Sequence, residues 1–147
     1  MIRHTMRALC AASLVIAPLA LAAAPAHAAT CTVNGVSRTG AAVTGTAGPD
    51  YIVCSGVVSG DTVNGLGGDD YIHIEGQVAG TVLGGDGRDY ISAPDGVAGG
   101  MTSTGRVLGE AGNDYIRTGP NAGVVNGGTG FDYCRVTSGN PPVSCEF

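Results

Sequence analysis

The sequence contains no lysine and no tryptophan, and it is poor in aromatic and charged residues. Its 147 residues include only five Tyr and two Phe, and charged residues make up 13%. So few bulky side chains cannot fill an ordinary large globular core, and the length allows one domain at most. The 26 glycines and the lack of a 3.6-residue period exclude a helical fold.

The charge balance and the N-terminus bear on partners and location. Seven Arg stand against twelve acidic residues, which argues against a nucleic-acid partner. Arg3 and Arg7 flank the start of an apolar run over residues 8–24, and Ala26-His27-Ala28 follows it. This pattern predicts a secretory signal peptide over residues 1–28, an extracellular protein, and no membrane span after cleavage. A membrane anchor is the alternative, and it is disfavoured by Pro18 within the run, by Pro25 directly after it, and by the small-residue site into which the run leads.

Four cysteines remain after that cleavage: Cys31, Cys54, Cys134 and Cys145. In an exported chain an even number without CxxC spacing indicates disulfides rather than metal thiolates. Three pairings are open, and Cys31 with Cys54 and Cys134 with Cys145 are favoured because each pair is local to one end. His73 is the single histidine of this part of the chain and has no nucleophile paired with it, so no enzyme is predicted.

An internal repeat dominates the rest of the sequence. The pattern Gly-x-x-Gly-x-Asp-Tyr begins at Gly45, Gly65, Gly84, Gly109 and Gly127, and an apolar residue or cysteine follows each copy. Successive aspartates are 20, 19, 25 and 18 residues apart, which fits an 18-residue period with insertions of 2, 1, 7 and 0. The other half of each period carries a valine at the matching position: Val43, Val63, Val82, Val107 and Val125.

Two short strands per period predict an all-β fold, a parallel two-sheet β-solenoid of about five coils. Each strand is expected to bury its middle residue, Ile or Val, because alternate residues point to opposite faces. We expect residues 29–44 to form an N-terminal cap and first strand, 45–135 the repeat solenoid, and 136–147 a C-terminal cap. All insertions, including 93–99, follow the isoleucine strand, so only the opposite edge is expected to have a strict geometric role.

That strict edge is formed by the repeated loops. Glycine at the first and fourth positions is expected to take positive φ and turn carbonyl oxygens inward. The aspartates Asp50, Asp70, Asp89, Asp114 and Asp132 would then stack in one column. Stacked carboxylates repel one another unless a counter-charge lies among them, and hard oxygen ligands suit Ca²⁺. The alternative is that each aspartate only caps its own turn.

The repeat resembles the RTX, or hemolysin-type, calcium-binding nonapeptide at positions one, four, six and eight. The resemblance implies up to four calcium ions between adjacent loops, and it extends to short secreted repeat proteins of actinobacteria. It assigns ligands to the aspartates and to the loop glycines Gly48, Gly68, Gly87, Gly112 and Gly130. In the other half of the period only Asp61 retains a carboxylate, which predicts one ion column instead of two. The family name carries no catalytic activity.

The five tyrosines all follow the motif aspartates: Tyr51, Tyr71, Tyr90, Tyr115 and Tyr133. Strand alternation predicts a ladder of rings on the outer face of one sheet. The rings would stabilise a glycine-rich sheet as cross-strand neighbours. Alternatively, they would bind a glycan or another cell-surface component, which would make the protein an adhesin.

Overall fold

The computed structural model describes residues 28–93 and 100–147, and the regular structure within these ranges is entirely β. The strands are β1 (Ala29–Val33), β2 (Val36–Gly40), β3 (Ala42–Thr44), β4 (Tyr51–Cys54), β5 (Thr62–Gly67), β6 (Tyr71–Ile74), β7 (Thr81–Asp86), β8 (Tyr90–Ala93), β9 (Arg106–Ala111), β10 (Tyr115–Asn121), β11 (Val124–Thr129) and β12 (Tyr133–Gly139). The signal peptide predicted over residues 1–28 and the insertion at 93–99 fall almost wholly outside the described residues. None of the described residues forms a helix with the length and apolarity that a membrane crossing requires.

The strands form two sheets that the chain enters alternately. The seven-stranded sheet has the order β12-β10-β8-β6-β4-β1-β2, and the five-stranded sheet has the order β11-β9-β7-β5-β3. From β3 onward each strand pairs in parallel with the strand two places along the chain. The chain therefore winds as a coil, and the predicted parallel β-solenoid of about five turns is confirmed.

Equivalent residues of successive coils lie directly above one another. Ile52 pairs with Ile72, and the same column continues through Ile91, Ile116 and Cys134. The facing column consists of the five valines of the other sheet, again in register. Both columns are buried, so the apolar core predicted from the repeat is confirmed.

The edge that carries the insertions has a structural role that the sequence analysis does not anticipate. Parallel bridges join Val57 to Val78, Val78 to Met101, and Met101 to Asn121, and both valines are fully buried. Cys54 on β4 is also buried, so that strand buries two side chains instead of one. Residues between the isoleucine strand and the valine strand of each coil therefore form a third wall of the interior, which a buried polar residue, Asn121, continues in the coil without an insertion.

Disulfide-linked segments cover both ends of the solenoid. β1 and β2 form an antiparallel hairpin whose turn residues Asn34 and Gly35 have positive φ, as a tight hairpin turn requires. β1 also pairs with β4, which places Cys31 opposite Cys54, and these two residues form a disulfide. The second disulfide joins Cys134 and Cys145. The favoured pairing is confirmed.

Candidate metal-binding column

The motif aspartates form a buried column at one edge of the solenoid. Each directly precedes a strand of the seven-stranded sheet, and all five are only 1–4% exposed. The main-chain N–H of each of the first four aspartates donates a hydrogen bond to Oδ1 of the aspartate in the next coil. These bonds join Asp50 to Asp70, Asp70 to Asp89, Asp89 to Asp114, and Asp114 to Asp132 at 2.8–2.9 Å. The carboxylates are therefore interleaved with N–H donors, which offsets part of their mutual repulsion.

The second carboxylate oxygen has no such partner in four of the five coils. Oδ2 of Asp70, Asp89, Asp114 and Asp132 is buried without a hydrogen bond. In the first coil, Asp50 Oδ2 accepts hydrogen bonds from the main-chain N–H and the hydroxyl of Thr46. Burying a carboxylate oxygen without a partner costs free energy of folding. A proton or a cation near each of these four oxygens would reduce that cost.

The first glycine of each loop lies against this oxygen. A Cβ built on Gly84 would overlap Asp89 Oδ2 and would lie 2.7 Å from the carbonyl oxygen of Gly109 in the next coil. Gly45, Gly65, Gly109 and Gly127 have equivalent neighbours. The expectation of positive φ at this position is wrong: φ is positive at the second loop position, as in Leu66, and at the fourth. The first loop position requires glycine because a carboxylate oxygen and a carbonyl oxygen approach its Cα, and they leave no space for a Cβ atom.

The glycines at the fourth position form a separate column. Gly68, Gly87, Gly112 and Gly130 all have positive φ. A Cβ on Gly87 would meet the carbonyl oxygen of Gly68, and Gly112 and Gly130 stand in the same relation to the coil before them. Gly48 differs, with no positive φ and open space where a Cβ would lie. The carbonyl oxygens adjacent to Oδ2 therefore belong to the first-position glycines, which the family resemblance does not single out.

The electrostatics of the column follow from burial. Burial raises the pKa of Asp70, Asp89 and Asp114 from 3.8 to about 6. The hydrogen bond from the N–H of the preceding aspartate lowers each pKa, and the neighbouring carboxylates raise it. In their ionised form these groups would be stacked anions, and among the described residues no cationic side chain forms an ion pair with them.

Side chains outside the repeat terminate the column, and sequence reasoning missed both of them. Asn34 Nδ2 donates to Asp50 Oδ1 at the first coil. At the last coil, the N–H of Asp132 donates to Glu146 Oε2 at 2.6 Å. The sequence signal for Glu146 is an acidic residue beside an aromatic one, Glu146-Phe147, but this pair stands one residue out of the Asp-Tyr register.

The donor set consists of oxygen atoms alone. Within residues 28–93 and 100–147, no group of three or more His, Cys, Asp or Glu side chains surrounds one point. Each coil contributes one aspartate to the column, so carbonyl oxygens and water would have to supply most of a shell of six to eight ligands. Hard oxygen donors of this kind fit Ca²⁺ in chemistry.

The other acidic residues near the loops differ from the column. Asp69 is exposed and lies 3.4 Å from the guanidinium of Arg88. Asp61 lies on the opposite edge, where it is buried with an unpaired Oδ2. Its neighbours in register are Ala41 and Gly80, so it has no stacked carboxylate beside it. Among the residues that the structure describes, a column of carboxylates is present on one edge only.

The tyrosines form the ladder that strand alternation predicts. Neighbouring rings are stacked with centroids 5.0–5.1 Å apart and interplanar angles of 2–10°. Tyr51, Tyr71 and Tyr133 are exposed. The faces of the three inner rings are covered by their neighbours, so the ladder presents ring edges and hydroxyl groups outward. His73 is half-buried beside Tyr71.

Comparison with protein-family models, with curated protein sequences and with solved structures finds no match to this chain.

Proposed function

We propose that the protein is a secreted calcium-binding repeat protein of the RTX type, that ion binding is coupled to folding, and that it has no catalytic activity. The observation that carries the proposal is the series of buried, unpaired Oδ2 atoms on successive coils. Each faces the same glycine Cα as a carbonyl oxygen of the next coil. A buried carboxylate oxygen and a carbonyl oxygen that lie close to the same glycine are both stabilised by a positive charge near them.

The ions would be held between the aspartates of adjacent coils, which gives four intervals along the column. In each, the ligands would be the second carboxylate oxygens and the first-position carbonyl oxygens, and the loop glycines would allow the close approach of the backbone. In the first interval, an ion would share Asp50 Oδ2 with the hydrogen bonds from Thr46. A bound Ca²⁺ supplies the positive charge that the stacked carboxylates lack. Oδ1 stays hydrogen-bonded to an N–H, so the series of hydrogen bonds along the aspartate column keeps each carboxylate in place for the ion.

Coupling to folding follows from the same geometry. The column exists only when the coils are stacked, so an ion that binds there stabilises the folded chain over the unfolded one. Extracellular calcium modules bind with dissociation constants of about 10⁻⁴ to 10⁻³ M, and we expect affinities of that order here. Such sites would be filled outside the cell and empty inside it.

Two features support a location outside the cell. The signal peptide predicted over residues 1–28 directs export. The two disulfides fit an oxidising compartment, because thiols in the cytosol are kept reduced.

A calcium titration tests the proposal, with far-UV circular dichroism to follow folding and native mass spectrometry to count ions. Asp70→Asn should lose bound calcium, whereas Asp69→Asn, the adjacent but exposed residue, should bind as the wild type does. Magnesium at the same concentration should give little response, because it dehydrates reluctantly and prefers strict octahedral geometry. A chain that takes up no calcium at millimolar concentration and is equally ordered in chelator would contradict the proposal.

A further inference from the structure

The C-terminal tail repeats the main-chain contacts of a coil, although its sequence lacks the motif. Val143 forms a parallel bridge with Asn126, and the N–H of Gly127 donates to the carbonyl of Val143 at 3.0 Å. In the first coil, the N–H of Gly45 donates to the carbonyl of Asn64 at 2.8 Å in the same way. Residues 143–147 therefore continue the stacking beyond the fifth coil.

The tail also continues the pattern of oxygen atoms around the column. The carbonyl oxygen of Ser144 lies against the Cα of Gly127, where the inner coils place the carbonyl of the next first-position glycine. Asp132 Oδ2 lies against the same Cα, is buried, and has no hydrogen-bond partner. The space between the fifth coil and the tail is thus bounded by the same kinds of atoms as each inner interval.

Glu146 supplies the second carboxylate of this space. Its N–H donates to the carbonyl of Asp132 at 2.9 Å, which is the contact that Tyr133 makes with Asp114 in the coil before. Glu146 therefore takes the main-chain place of a tyrosine, one residue later than an aspartate would stand. Its longer side chain reaches back, so that Oε2 accepts the N–H of Asp132.

We infer that the tail is a truncated sixth coil and that it completes a fifth cation site, in which Asp132, the Ser144 carbonyl and Glu146 are the ligands. The inference rests on the proposed calcium function. Glu146 is exposed whereas the aspartates of the column are buried. The fifth site is therefore open to water, and its ion exchanges more readily than the inner ions.

The disulfide between Cys134 and Cys145 holds this site together. Cys134 occupies the isoleucine place of the fifth coil, and Cys145 lies between the two ligand-bearing residues of the tail. The disulfide is the covalent link between the tail and the fifth coil, and it adds to hydrogen bonds and to a contact between the rings of Phe131 and Phe147. The fifth site therefore depends on an oxidised disulfide, and the inner four do not.

Native mass spectrometry of the oxidised protein in calcium tests the inference. We expect five ions on the wild type, four on Glu146→Gln, and five on the control Glu110→Gln, which changes another exposed loop glutamate. The double variant Cys134→Ser with Cys145→Ser should also bind four. Circular dichroism in calcium should show that the variants keep the wild-type fold, since the glutamine introduced by Glu146→Gln retains an acceptor for the N–H of Asp132.

Other results separate this inference from the proposed function. Equal ion counts for the wild type and Glu146→Gln would overturn the fifth site while the inner sites stand. Loss of more than one ion in Glu146→Gln would overturn the inference that the fifth site is independent of the four inner sites. A wild type without any bound calcium would overturn the proposed function itself, and the fifth site with it.

Discussion

Asn34 Nδ2 donates a hydrogen bond of 2.5 Å to Asp50 Oδ1, where the inner carboxylates receive a main-chain N–H from the coil before. Asn34 Oδ1 also accepts the N–H of Tyr51 at 2.8 Å, so both ends of the amide are used. At the other end of the column a carboxylate, that of Glu146, accepts the last N–H. The series of hydrogen bonds along the aspartate column thus begins with a side-chain donor and ends with a side-chain acceptor, as the direction of these bonds requires.

Asn34→Gly tests the cap at the first coil. Glycine tolerates the positive φ of residue 34 but removes both hydrogen bonds. We expect the free energy of unfolding in calcium to fall by about 1 to 2 kcal/mol, measured by urea denaturation. Leu66→Gly is the matched control, because it also replaces a residue with positive φ but one with an exposed apolar side chain. Equal effects of the two substitutions would contradict a capping role.

Gly84→Ala tests the close approach at the first loop position. The new methyl group would overlap Asp89 Oδ2 and crowd a carbonyl oxygen of the next coil, and neither can move without breaking the stack. We expect destabilisation of about 3 kcal/mol or more, measured by chemical denaturation. Gly48→Ala, with open space and no positive φ, should change stability by less than about 0.5 kcal/mol. Similar losses for both variants would show that the two positions are equally constrained.

Asp89→Asn tests the shared column. Asp89 borders two intervals, whereas Asp50 borders one, so native mass spectrometry should find two fewer ions in Asp89→Asn and one fewer in Asp50→Asn. The Asn amide can place an N–H₂ donor at the position of the unpaired Oδ2, near the glycine that a carbonyl oxygen of the next coil also approaches. The metal-free Asp89→Asn protein should therefore be at least as stable as the metal-free wild type. A variant that is both unfolded and free of ions would instead indicate a structural defect.

The pH dependence of the metal-free protein has an unusual sign. The pKa values of Asp70, Asp89 and Asp114 are raised to about 6, so the folded chain binds their protons more tightly than the unfolded chain. The stability that protonation contributes is fully present below pH 3.8 and is lost as the pH rises through about 6. We expect a higher Tm at about pH 5 than at about pH 7.5 in calcium-depleted protein.

Calcium should oppose this trend, because protons and cations compete for the same oxygen atoms. In saturating calcium the Tm near pH 7.5 should equal or exceed that near pH 5, which thermal unfolding by circular dichroism measures. A metal-free Tm that falls steadily as the pH is lowered from 7.5 to 5 would contradict the buried column.

Tyr90→Thr tests the ladder. Tyr90 stacks on two neighbouring rings and Tyr51 on one, so the loss of stability should be larger at the inner position. We expect about 1 to 2 kcal/mol for Tyr90→Thr and about half of that for Tyr51→Thr, with unchanged ion counts. Threonine keeps the strand preference, so the difference reports on the rings. If binding to a glycan or cell-wall fraction is found and Tyr90→Thr abolishes it, the adhesin interpretation gains support over pure stabilisation.

Much of the fold follows from the repeat alone. Five copies of one motif place Ile52 and its equivalents in one column and Val63 and its equivalents in another, because identical residues at a fixed period stack when the coils stack. The third wall could not be predicted from the period, since Val57, Val78 and Met101 stand in segments of unequal length. These three residues align with one another only in the folded protein, where the stacking of the coils brings them into register.

The sequence by itself determined the coil, its apolar columns, the tyrosine ladder and the row of aspartates, because each of these repeats with the motif. Tertiary structure decided which carboxylate oxygen is left unpaired, which glycine faces it, and how Asn34 and Glu146 end the column. These contacts join residues of different coils or of unrepeated segments. Their geometry depends on how adjacent coils are offset, and that offset is set by packing of the whole stack.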